Sequence, residues 1–209
     1  MIALFAAAHL YLLQWQGEPP KALFMLPSEG ENACGIGSFT FGPPDNSWSG
    51  GSGGQPSCEF RQMVQPDALF SAWVDAGKLK PGMDIEVAWT LTGGGAKGTG
   101  HKVTIKPEAV AVDQLHSTAA GLSATAAKVK NKVRVELKNG GQAPVLIGDA
   151  IAARNPPDDS CVGAGPQLLL QPGETLVDTR PGLLSKSMKV YAAAFTGPKK
   201  CRWVEVHRR

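Results

Sequence analysis

Residues 128 to 138 read KVKNKVRVELK, where Val129, Val133, Val135 and Leu137 alternate with Lys128, Lys130, Lys132, Arg134 and Lys138, and only Glu136 breaks the basic series. Successive side chains of a β-strand point to opposite faces, so this period predicts a strand with one face in a core and a basic face in solvent. Asn139-Gly140-Gly141 follows directly and supplies turn chemistry. Toward the C-terminus, short apolar runs at residues 145 to 147, 168 to 170, 175 to 177, 188 to 195 and 202 to 206 complete a set of strands, two of them joined by the turn Gln171-Pro172-Gly173-Glu174.

Toward the N-terminus the same period recurs. Ile85, Val87, Trp89 and Leu91 alternate with Asp84, Glu86 and Thr90 after the turn Lys80-Pro81-Gly82. A glycine-rich turn from Gly93 to Gly100 leads into a second strand with Val103 and Ile105 inward, so the two read as a hairpin. A short helix is expected over residues 66 to 76, capped by Asp67, with Leu69, Phe70 and Trp73 on one side. Residues 108 to 127 turn to Ala, Ser and Thr and mark a boundary. The expected organisation is an apolar segment at 1–17, a disulfide-closed β-rich region at 18–110, a connector at 111–127 and a β-sandwich-like region at 128–209. The fold class is therefore mainly β, a short-stranded antiparallel sandwich architecture with an N-terminal apolar helix. In rhythm the C-terminal half resembles immunoglobulin-like or chaperone-like sandwich domains, a likeness that implies architecture and not function.

Composition agrees with many short elements joined by turns, since the 209 residues include 25 glycines and 16 prolines. The apolar content of 43% is too high for a disordered chain, and a net charge of +3 argues against nucleic acid as a partner. The four cysteines contain no CxxC, which argues against a zinc ribbon or a thioredoxin-like motif. Sequential pairing, Cys34 with Cys58 and Cys161 with Cys201, is the simplest of three connectivities and places the chain in an oxidising, extracytoplasmic compartment: periplasmic, lumenal or extracellular.

From Ile2 to Trp15 the chain carries no charge, and Pro19-Pro20 would end any helix there. As a helix its fourteen residues span about 21 Å, short of a ~30 Å bilayer core. An anchor or docking helix is expected, with Leu4, Phe5, Leu10, Tyr11, Leu12, Leu13 and Trp15 engaging a membrane or a membrane-protein complex. A signal remnant and an ordinary buried segment are the alternatives.

Gly93, Gly95 and Gly98 match GxGxxG, but a strand follows them where a dinucleotide site needs a helix N-terminus. There is no GxSxG and no HExxH. Asp158-Asp159 reads as a solvated turn rather than a calcium site. Lys128, Lys130, Lys132, Arg134 and Lys138 either protect a sheet edge or dock an acidic protein, lipid or glycan surface, and Lys199, Lys200, Arg202, Arg208 and Arg209 could widen that surface. Finally, Ala6-Ala7-Ala8 before His9, together with residues 81 to 90 and Gly100-His101, resembles lytic polysaccharide monooxygenases. That resemblance implies copper held by His9 and His101, with Tyr191 as an axial group.

The sequence thus points to a non-catalytic extracytoplasmic accessory or structural subunit without a cofactor. A secreted copper-dependent polysaccharide monooxygenase-like enzyme and an extracellular adhesion or carbohydrate-binding module are the competing readings.

Overall fold

The computed structural model describes residues 7–14, 19–28, 33, 35–45, 48, 69–111, 121–142, 144–157, 161, 168–197 and 200–206. They form antiparallel sheets in two compact units, Met1–Val110 and Ala111–Arg209, and contain no α-helix.

In the first unit the strands are β1 (His9–Gln14), β2 (Lys21–Pro27), β3 (Gly35–Gly42), β4 (Leu69–Asp75), β5 (Ile85–Thr92), β6 (Gly100–Ile105) and β7 (Pro107–Ala111). One sheet runs β4-β2-β1-β7 and the other β3-β5-β6. Phe24 from the first sheet meets Phe39 and Phe41 from the second at centroid distances of 5.5 and 5.0 Å, so the two sheets share one core. Trp89 on β5 reaches across it, and its Nε1 donates to Pro27 O at 3.3 Å. The alternation at residues 85 to 92 is realised strictly: Ile85, Val87, Trp89 and Leu91 are buried and the residues between them half-buried. β5 and β6 pair from Ile85–Ile105 to Thr90–Gly100, with Gly93, Gly94, Gly95 and Gly98 in left-handed backbone between them.

Two expected helices are corrected to strands. Residues His9–Gln14 pair with β2, Leu10 opposite Phe24, Tyr11 opposite Leu23 and Leu12 opposite Ala22. Directly opposed residues share a face, so Leu10 and Leu12 point into the core between the sheets while Tyr11 lies on the other face. All of Leu10, Tyr11, Leu12 and Leu13 are nevertheless buried. A strand covered on both faces has no polar alternation, and its continuous apolar run is indistinguishable by period from a short helix. Leu4, Phe5 and Trp15 lie outside the described residues. Residues 69 to 75 likewise form β4, paired with β2 from Lys21–Asp75 to Pro27–Leu69 and closed at one end by the Lys21–Asp75 ion pair.

The second unit contains β8 (Leu122–Val129), β9 (Lys132–Asn139), β10 (Val145–Ala153), β11 (Leu168–Leu170), β12 (Thr175–Pro181), β13 (Lys189–Gly197) and β14 (Lys200–Val206). Its sheets run β12-β9-β8 and β11-β10-β13-β14, three strands and four, consistent with a β-sandwich. Leu122, Ala124, Val133, Val135 and Leu137 form the buried face of the first sheet, which packs on β10, β13 and β14. Cys161, between β10 and β11, is disulfide-bonded to Cys201 on β14 with Cα atoms 5.5 Å apart. The expected Cys34–Cys58 bridge lies outside the described residues.

Candidate functional site

The expected single basic strand is corrected to a hairpin. Its turn is Lys130-Asn131, with Lys130 in left-handed backbone at φ 58°, and Val129 pairs with Lys132 across it. Asn131 was the local signal, because Asn is favoured in tight turns. The fold consequently separates the five cations. Lys132, Arg134 and Lys138 alternate along β9 and share the face that points away from the core. Lys128 stands opposite Val133 and so belongs to the core-side face, but on β8 it is exposed. Lys130 occupies the turn itself.

The outward face of β12-β9-β8 is fixed by its register. Lys138 stands between Ser123 and Thr175, Glu136 between Thr125 and Val177, Arg134 between Ala127 and Thr179, and Lys132 between Val129 and Pro181. The flanking side chains are short and uncharged. The one carboxylate among these positions, Glu136, is bound by Arg134 at 2.8 Å, and both side chains are open to solvent. The result is a face with three cations and one carboxylate, each set between short uncharged residues on the neighbouring strands. Of the other cations considered, Lys200 and Arg202 fall on β14 in the opposite sheet, and Lys199, Arg208 and Arg209 lie outside the described residues.

At the hairpin end of this sheet the chain gathers a second kind of surface. Val129 is 45% exposed and Leu183 76% exposed, and they are the large hydrophobic side chains left exposed among the described residues. They belong to one tip, because Val129, Lys132 and Pro181 form a cross-strand row and the Gly182 N–H, next to Leu183, donates to Asn131 O at 3.3 Å. Sequence reasoning missed Leu183, since only long-range strand pairing brings it to the Lys130-Asn131 turn.

The opposite end is held by Asn139, which is buried. Its Nδ2 donates to Leu170 O at 2.9 Å, and its Oδ1 accepts from the Gly141 N–H at 2.9 Å. The Gln171–Glu174 turn closes beside it, with the Gln171 N–H donating to Glu174 Oε2 at 2.8 Å. At the edge of the other sheet, Lys189 Nζ donates to Glu205 Oε2 at 2.7 Å, a bond that raises the Lys189 pKa.

The histidines considered for copper have separate surroundings. His9 begins β1 and stacks on Tyr11 at 5.6 Å, while His101 is buried on β6, in the other sheet, and stacks on Trp89 at 5.2 Å. Tyr191 is buried on β13 of the second unit. Among the described residues no three of His, Cys, Asp and Glu converge as a metal site, and no helix is long and apolar enough to cross a membrane.

No protein-family model matches the chain, and no curated protein matches it. Among solved structures, a chain of the CsuC–CsuE chaperone–tip adhesion subunit pre-assembly complex from archaic chaperone-usher Csu pili of Acinetobacter baumannii is similar over 98% of this chain and 100% of that one. The identity is 12% and the TM-score 0.33, too low to carry an assignment from that complex to this chain.

Proposed function

We propose that the chain is a non-catalytic, extracytoplasmic accessory or structural subunit that docks an acidic protein partner through the outward face of β12-β9-β8. The observation that carries this reading is the register of that face, where Lys132, Arg134 and Lys138 project between short uncharged neighbours. A face with three cations to one carboxylate, lacking bulky side chains, suits association guided by complementary charge. The Cys161–Cys201 disulfide supports an oxidising compartment. Attachment to a membrane through residues 2 to 15 is not part of the proposal, because Leu10, Tyr11, Leu12 and Leu13 are engaged in packing β1.

A photo-cross-linking residue at position 134, compared with one at the exposed control position 97, tests the reading in the cells that make the protein. A discrete protein adduct is expected from position 134 alone, weakened by salt and lost in Lys132→Glu/Lys138→Glu. An identical adduct from position 97, or none from 134, would sink the idea.

A further inference from the structure

The hairpin tip of the second unit poses a separate problem from the outward face. Its apolar centre is Val129 and Leu183, both exposed, with exposed Pro181 beside them. Three lysines surround that centre, and the fold directs them to three different sides. Lys132 lies on the outward face of the sheet, Lys128 on the core-side face, where it is exposed, and Lys130 in the turn between them. Cations on opposite faces of one sheet cannot all lie against a partner that covers only one of those faces. They can all reach a surface that the tip meets end-on.

From this arrangement we infer that the tip rests on an anionic lipid surface, with Val129 and Leu183 entering the headgroup layer and Lys128, Lys130 and Lys132 lying against the phosphates. The shape and the charge both favour that occupant over a protein. A hairpin end is convex and presents two aliphatic side chains, far less than the roughly 800 Å² that each partner contributes to a standard protein interface. A bilayer supplies a plane, needs no complementary pocket, and rewards this mixture of aliphatic insertion and flanking positive charge. Each lysine held near an anionic surface raises partitioning roughly fivefold, so three of them act together with a small apolar insertion to give measurable binding. The mode sets the hairpin end-on to the membrane, with Lys132 at the border it shares with the outward face and Arg134 and Lys138 available to a protein partner. It does not depend on the cross-linking result above.

Vesicle co-sedimentation of the 209-residue chain tests the inference, with phosphatidylcholine vesicles compared with vesicles that also contain phosphatidylglycerol. Binding is expected only to the anionic vesicles and is expected to weaken as salt rises. Lys128→Glu/Lys130→Glu should reduce it at least tenfold, and Leu183→Ser several-fold, with unchanged melting because both sites are exposed. The control Lys78→Glu/Lys97→Glu makes the same change in net charge elsewhere and should bind nearly as well as the parent. Absence of binding to the anionic vesicles overturns the inference. So does equal loss in the control pair, which would assign the effect to bulk charge, and so does full binding by Leu183→Ser.

Discussion

The side-chain amide of Asn139 donates to the carbonyl of Leu170 at 2.9 Å, so the last residue of β9 is bonded to the last residue of β11, which belongs to the opposite sheet. The Asn139 backbone also donates to Glu174 O and accepts from the Gly173 N–H. One buried side chain thereby fixes the end of the sandwich where the sheets and the Gln171–Glu174 turn meet.

Asn139→Ala removes the partner of Leu170 O and of the Gly141 N–H, and a loss of about 2–3 kcal/mol is expected from leaving such groups unsatisfied. Urea denaturation should show a lower midpoint with an unchanged slope. Asn139→Asp keeps the acceptor for Gly141 but sets a carboxylate beside the Leu170 carbonyl. Burial and that carbonyl would raise the folded-state pKa of the new acid, so this variant should be more stable in acid and lose stability as pH rises through that value.

Gly121 sits against Gly141, where a Cβ on Gly121 would come within 2.7 Å of the Gly141 Cα, and its φ of 95° is left-handed. Gly173 also has a left-handed φ, 85°, but open space where a Cβ would be. Gly173→Ala should therefore cost about 1–2 kcal/mol for the backbone alone, while Gly121→Ala should cost roughly 3 kcal/mol by adding a clash with main chain. Equal costs for the two variants in thermal melts would show that the Gly121–Gly141 approach relaxes freely.

The Cys161–Cys201 bridge spans a sequence separation of 40 residues. Loop-closure arithmetic gives about 4 kcal/mol of stabilisation, so Cys161→Ser/Cys201→Ser should lower the unfolding free energy by that order. Amide exchange read on β13 and β14 localises the effect to the second unit.

The Lys189–Glu205 hydrogen bond raises the lysine pKa above its usual value of 10.5. With the folded-state pKa the higher one, the pair's contribution is complete below the unfolded value and is lost only as pH rises through the folded one. Glu205→Gln should therefore be less stable than the parent by a small, constant amount across the neutral range, and the difference should shrink in salt because the pair is exposed.

Much of this architecture was legible where burial is one-sided. Residues 85 to 91 and 133 to 137 face a core on one side and solvent on the other, and their period of two reports that directly. Residues 10 to 13 failed as a signal because both faces of β1 are covered, and β4 pairs with β2, whose buried run is equally continuous. At the candidate site Lys132, Arg134 and Lys138 could be read from the strand pattern. The division of Lys128 from them required the turn at Lys130-Asn131, and Leu183 required the long-range pairing of Pro181 with Lys132.

In the first unit a single residue, Lys106, separates β6 in one sheet from β7 in the other. Its ammonium is held by Asp84 at 2.7 Å, and the Gly82 N–H donates to Pro107 O at 3.2 Å, so the crossing point is clamped against the preceding turn. Homologous chains should accordingly tolerate insertions and deletions very unevenly. The tip between Gly93 and Gly100 can lengthen without disturbing either sheet. Adding or removing one residue at Lys106 would turn over every side chain of β7, leaving the Lys106–Pro107 step among the least length-variable points of the lineage.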